Sequence, residues 1–174
     1  MPDIDLSSKR LIIFDVDNML VKTKSGHTFR RSADDWEWLP DRLKKLQELK
    51  EQGKELAVAT NQGGVAFGFL NEDDMQTELS ILCNQGQISY LRVCFAHPNA
   101  SAEGYREEID LFDRKPMPGM LLKIVLAERI TVPQTLMVGD RDEDKEAAKN
   151  AGMDFMTADQ FFGDGEPEIE DHPF

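Results

Sequence analysis

The chain has 174 residues with 33 Asp and Glu against 20 Lys and Arg, a formal charge of −13. That length suits one domain able to bury well over half of its unfolded surface, and 40% hydrophobic residues exclude global disorder. No apolar run approaches the roughly 20 residues needed to cross a bilayer. The start, Met1-Pro2-Asp3-Ile4-Asp5, lacks the basic-then-apolar order of a secretory signal. Two cysteines, Cys83 and Cys94, make no disulfide framework, so the expected setting is soluble and cytoplasmic.

In chain order, Arg10 to Val16 reads as a short buried parallel strand that ends in an acid, Asp15. Residues 18–33 follow as a loop without a single acid, carrying Lys22, Lys24, Arg30 and Arg31. Its +4 reads either as a solvated flap or as a substrate contact beside Asp15. Trp36 and Trp38, two apart, are expected to face different ways and to pack in the core. Asp41 to Gln52 places Leu43, Leu46 and Leu49 on one helical stripe, stopped by Gly53. Leu56 to Ala59 is a second buried strand, running into Thr60-Asn61-Gln62-Gly63-Gly64.

Asn71 reads as the cap of a helix with acids in its first turn and Met75, Leu79, Leu82 and Cys83 on one face. Tyr90 to Phe95 is a third strand, and residues 98–113 a polar loop. Pro118 opens a helix whose expected apolar stripe is Leu121, Leu122, Val125 and Leu126. Thr135 to Gly139 is a fourth strand, Glu143 to Asn150 a helix closed by Gly152, and Asp154 to Thr157 a fifth strand. Strands alternating with helices predict an α/β, Rossmann-like parallel sheet of about five strands with helices on both faces. One domain over residues 1–162 is expected, then an acidic tail over 163–174. Six acids and no base lie from Asp159 onward, so residues 1–158 carry −7. That surface disfavours extended nucleic-acid binding but leaves room for a local basic site.

In open parallel sheets ligands bind where the carboxyl ends of the strands meet their loops. Here those ends carry Asp15 and Asp17, Thr60 and Asn61, and Asp140, with Arg114 and Lys115 on the loop before the Pro118 helix. Converging carboxylates need a cation, and Mg²⁺ is the hard ion for oxygen ligands. A carboxylate can attack phosphorus, a second can shuttle the proton, and Lys with Thr and Asn can hold the phosphoryl oxygens. The set suits phosphoryl transfer.

Asp15-Val16-Asp17-Asn18-Met19-Leu20, Thr60-Asn61, Lys115-Pro116 and Gly139-Asp140-Arg141-Asp142-Glu143-Asp144 resemble the four ordered motifs of the haloacid dehalogenase (HAD) superfamily. The resemblance implies catalytic roles for Asp15 (nucleophile), Asp17 (general acid/base) and Lys115. It implies phosphoryl binding by Thr60 and Asn61, and a Mg²⁺ site involving Asp15, Asp17 and Asp140, with Asp144 in its shell. Thr60-Asn61-Gln62-Gly63-Gly64 and Arg114-Lys115-Pro116-Met117-Pro118-Gly119 resemble the branch without a large cap domain. That branch contains histidinol-phosphate and heptose-bisphosphate phosphatases and the 3′-phosphatase domain of polynucleotide kinase/phosphatase, which residues 22–36 resemble most. Arg114 joins the expected substrate contacts. The expected partner is a phosphorylated small molecule or a nucleic-acid 3′-phosphate end, with no membrane partner.

Two departures stand out. Met19 takes a position that is usually Thr or Val and Asn18 one that is commonly Gly, so Met19 is expected to crowd the metal loop. A catalytically weak phosphate- and metal-binding module is therefore the alternative reading. Cys94 and His97 resemble half of a structural zinc loop, whose second half is replaced by Leu111-Phe112-Asp113, so no zinc is expected.

Overall fold

A computed structural model describes residues 3–163, so the expected acidic tail over 163–174 lies, apart from Gly163, outside the described residues. Five parallel strands form one sheet in the order β5-β4-β1-β6-β7: β1 (Leu11–Phe14), β4 (Glu55–Asn61), β5 (Tyr90–Cys94), β6 (Thr135–Gly139) and β7 (Asp154–Thr157). The expected α/β architecture is the observed one. The central strand β1 is apolar along its whole length because both faces of the sheet are covered. Ile12, Phe14, Leu56, Val58, Leu136 and Val138 enter one core; Leu11, Ile13, Ala57, Ala59 and Met137 enter the other. The twofold side-chain alternation of a strand splits one hydrophobic run between two cores.

The first core is closed by α1 (Arg42–Glu51) and α2 (Glu72–Gln85), with Phe161 from α6 (Ala158–Phe162). Asn71 caps α2 as expected, its side chain accepting from the Asp74 amide at 3.0 Å, a contact worth about 1 kcal/mol. The second core is closed by α4 (Gly119–Glu128) and α5 (Asp142–Ala151), which ends at Gly152 with φ of 73°. That left-handed turn is the conformation glycine adopts without steric cost.

Two helical stripes differ from expectation. In α1 the buried face is Arg42, Leu46 and Leu49, while Leu43 is exposed. Arg42 replaces it because its Nε donates to the Met19 carbonyl at 2.8 Å and its guanidinium covers the Phe162 ring. In α4 the buried residues are Met120, Leu121 and Ile124, leaving Leu122 and Leu126 outside. The run is apolar nearly all round, so periodicity alone did not select its inner face.

The 18–33 segment is not a bare loop. β2 (Val21–Lys22) pairs antiparallel with β3 (Glu37–Trp38), forming a two-stranded ribbon over the first core. The Trp36 and Trp38 rings meet edge to face at 6.0 Å, contrary to the expectation that they diverge. Trp36 is in the core, donating to Glu78 at 2.9 Å, and Trp38 packs at its edge. One short helix, α3 (Glu108–Leu111), interrupts the expected 98–113 loop. Among the described residues no helix is long and apolar enough to cross a membrane.

Candidate active site

The carboxyl ends of β1, β4 and β6 meet as expected, and the buried ammonium of Lys115 lies among them. Its ammonium donates to Asp15 Oδ1 at 2.9 Å and to Asp144 Oδ1 at 2.5 Å, with all three side chains buried. Burial opposes the charge on Lys115, and the two carboxylates more than reverse this, holding it above its ordinary value. Burial pushes the Asp15 carboxyl up to about 6; Lys115 pulls it down, while Asp144 and Asp17 add to the rise. Asp15 is thereby poised within reach of neutral pH.

Asp144 uses both oxygens internally. Oδ1 takes Lys115, and Oδ2 accepts the amides of Asp140 at 3.2 Å and Arg141 at 3.1 Å. It therefore anchors Lys115 and the turn after β6. Gly139 makes this possible: a Cβ there would lie 2.5 Å from the Asp144 Cβ. Asn61 likewise serves the lysine, its Nδ2 donating to the Lys115 carbonyl at 2.9 Å and its Oδ1 accepting the Lys115 amide at 3.0 Å. Thr60 is buried, and its hydroxyl accepts from Gln62 Nε2 at 2.9 Å.

Asp17 is held on both sides. Arg30 Nε donates to its Oδ1 at 2.9 Å, and Gln62 Nε2 donates to its Oδ2 at 2.8 Å. Asn18 takes φ of 60°, a left-handed turn that Asn tolerates better than most residues. Met19 is wholly buried in the core, so it does not crowd the loop as expected; the turn at Asn18 sends its side chain inward.

Asp15, Asp17, Asn61, Lys115 and Asp144 line one niche of about 30 Å³ with Arg141 and Glu143. It opens beside a larger cavity of about 370 Å³, whose walls include Asp17, Arg30, Gln62 and the expected contact Arg114. Phe29, Phe67, Phe69 and His97 line the same cavity, with Lys22 and Arg141 as further cations. Asp140, just past the end of β6, is exposed, carries no side-chain hydrogen bond, and lines a depression of about 680 Å³ with Asn18 and Lys45. Arg30, Gln62, Arg141, Glu143 and the three phenylalanines were not singled out individually from the sequence. The basic loop and the Gln in Thr60-Asn61-Gln62 were visible there, but not the contacts they make.

The donor set fits a hard divalent cation. Asp15 and Asp144 share the Lys115 ammonium, Asp17 lines the same niche, and Asp15 Oδ2 has no hydrogen-bond partner among the described residues. No three His, Cys, Asp or Glu side chains there close into a ready-made cluster. Mg²⁺ tolerates that, since it commonly keeps several waters. Cys94 and His97 are engaged separately: the sulfur faces the Ala96 and Asp110 carbonyls, and His97 Nδ1 accepts the Asn99 amide at 3.0 Å.

The polynucleotide kinase 3 phosphatase family model matches residues 10–164. The chain belongs to that family. It is thus a phosphatase of the HAD superfamily, as the ordered motifs implied. Members of this branch among its relatives include the D-glycero-beta-D-manno-heptose-1,7-bisphosphate 7-phosphatase of Escherichia coli (strain K12), 33% identical over 132 residues. That match covers 73% of this chain and 68% of the relative. The same-named protein of Rhodopseudomonas palustris is 33% identical over 121 residues, 67% of this chain and 66% of its own. Among solved structures, the D,D-heptose 1.7-bisphosphate phosphatase of B. bronchiseptica complexed with magnesium and phosphate superposes with a TM-score of 0.67 at 24% identity. It covers 91% of this chain and 89% of that one. A HAD-like protein of Mesorhizobium loti gives 0.68 at 22% identity over 83% and 69%. These structural matches carry the fold.

Proposed function

We propose that this phosphatase is a Mg²⁺-dependent phosphomonoester hydrolase acting through a phosphoryl group carried on Asp15. The observation that supports this most is the buried Lys115 bridging Asp15 and Asp144. Lys115 keeps the Asp15 carboxylate oriented and places a fixed positive charge where phosphoryl oxygens arrive. Asp15 attacks phosphorus as the P–O bond to the leaving alcohol breaks, and Asp17 delivers its proton to the departing oxygen. Asp17 then takes a proton from water as that water attacks the phosphorus, releasing inorganic phosphate and restoring Asp15. Asp15, the Asp17 carbonyl and Asp140 would hold Mg²⁺, which when bound neutralises charge on the phosphoryl oxygens. Asp144 acts through the lysine and the 140–141 turn, and Asn61 through the Lys115 backbone.

A phosphorylated small metabolite is the first substrate reading, supported by the names of the curated relatives. A second, a nucleic-acid 3′-phosphate end, is favoured by the family model and by the aromatic cavity, since exposed Phe29 and Phe69 offer faces on which a base can stack. The proposed unit spans residues 1–162, and a cytoplasmic setting fits two free, buried cysteines.

Phosphate release with Mg²⁺ from sugar phosphates, histidinol phosphate and 3′-phosphorylated oligonucleotides tests the proposal, with Asp15→Asn as control. Turnover that needs both Asp15 and Mg²⁺ is the expected result, and Asp140→Asn should raise the Mg²⁺ requirement. No release from any substrate above the Asp15→Asn control sinks it in favour of a weak binding module.

A further inference from the structure

Arg30 sits in an acid-free stretch that carries four Lys and Arg, residues 18–33, yet it is not a surface cation. Its side chain is 3% exposed, and both Nε and Nη2 lie within 2.9 Å of a single oxygen, Asp17 Oδ1. Nη1 donates to the Ala33 carbonyl at 3.0 Å, fastening the guanidinium to its own loop. Nη2 has no properly directed hydrogen bond, although Asp17 is 2.8 Å away. A buried guanidinium with an unsatisfied amine is a poor device for stability, because desolvation offsets most of the ion-pair attraction. What it does achieve is to fix one carboxylate.

We propose that Arg30 is the positioning residue for Asp17, holding Oδ1 so that Oδ2 alone exchanges a proton with the leaving group. This rests on the reading of Asp17 as general acid. Asp17 lies beyond the end of β1 on a loop and is 31% exposed at its side chain, so strand geometry does not fix its rotamer. Arginine donates hydrogen bonds and accepts none, which leaves Oδ1 committed as an acceptor. Gln62, just past the end of β4, meets Oδ2, so the carboxylate plane is defined by one contact from the ribbon side and one from the sheet side. Proton transfer needs the donor oxygen within hydrogen-bond reach of the departing atom, and a rotated carboxylate loses that reach. Arg30 touches the reaction only through Asp17.

The discriminating measurement is leaving-group dependence. An aryl phosphate departs as a stable phenolate and needs little protonation, whereas an alkyl phosphate departs as an alkoxide and needs the acid. Steady-state kcat and KM for p-nitrophenyl phosphate and glycerol 2-phosphate are compared in wild type, Arg30→Ala, Arg30→Lys and Asp17→Asn. Arg30→Ala should lower kcat on the alkyl ester about 10-fold or more relative to the aryl ester, with little change in KM. Arg30→Lys, which can still reach Oδ1, should recover part of that difference, and Arg30→Ala should add nothing in the Asp17→Asn background. Should Arg30→Ala fail to fold, Arg30→Met carries the same comparison, since it keeps much of the stem volume and has no donor. Equal losses on both esters, a loss confined to KM, or no loss each overturn the assignment while leaving the Asp15 reading intact. Absence of any Asp15-dependent turnover in the wild type removes the parent reading and this inference together.

Discussion

The Lys115 ammonium lies 2.5 Å from Asp144 Oδ1, joining the loop before α4 to the first turn of α5 inside the site. The same nitrogen holds Asp15 at 2.9 Å, so one cation serves two buried carboxylates. Removing it strands both acids without a counter-charge, which costs far more than losing an exposed ion pair. Lys115→Ala should therefore lower unfolding free energy by about 3–5 kcal/mol. Urea denaturation without Mg²⁺ checks this. A change within experimental error would mean that the triad relaxes and does not hold the loops together.

Gly139 and Asp144 cannot separate without disturbing that arrangement. A methyl at 139 would meet the Asp144 Cβ at 2.5 Å and its carboxyl at 2.6 Å. Gly139→Ala should destabilise the fold by about 1–3 kcal/mol through overpacking. It should also lower turnover by shifting the carboxylate that anchors Lys115. Thermal unfolding and phosphate release, measured on the same preparation, read both effects.

Asp15 predicts a definite pH response in the metal-free protein. Its carboxyl is raised from 3.8 to about 6, so the folded state binds the proton more tightly than the unfolded chain. Stability from this group is present below about 4 and is lost as pH rises to about 6, where the buried carboxylate becomes charged. The loss is on the order of 3 kcal/mol. Unfolding in chelator across pH 4–7 should show the stability of wild type falling relative to Asp15→Asn, then levelling. Saturating Mg²⁺ should flatten the difference, since a cation bound to the folded state alone stabilises it. A gap that widens in the opposite direction would contradict the burial-driven rise.

Phe29 and Phe69 are about three-quarters exposed at the rim of the larger cavity, so neither supports the core. Replacing either with Ala should leave the melting temperature within about a degree, because exposed substitutions rarely move stability by more than about 0.5 kcal/mol. If a planar group stacks there, KM for a 3′-phosphorylated oligonucleotide should rise several-fold, in line with about 1–3 kcal/mol per stacked base. KM for a sugar phosphate should not change. Equal response of both substrates would remove the aromatic rim from substrate selection.

Much of this was readable from order along the chain. Strand ends are legible because a fully buried run such as Leu11 to Phe14 stops where a polar group first appears, and that group is Asp15. Asp17, Thr60, Lys115 and Asp140 followed from the same logic and from their order. Local pattern was weaker where a segment is apolar all round, as in α4, or where a polar residue takes an inner position, as Arg42 does in α1.

The sequence by itself determined the α/β architecture, the phosphatase family, and which strand ends carry acids, since these depend on hydrophobic runs and motif order. Only the tertiary structure decided what each polar group does there. Asn61 is spent on the Lys115 backbone, Asp144 on the lysine and two amides, and Arg30 on Asp17. Hydrogen bonds and ion pairs act over a few ångströms, between residues that can be far apart in the chain, as Lys115 and Asp15 are at 100 positions. Linear spacing carries no record of such distances. The net charge is the plainest case: −13 described the chain, and a buried Lys and a buried Arg set the local electrostatics at the site.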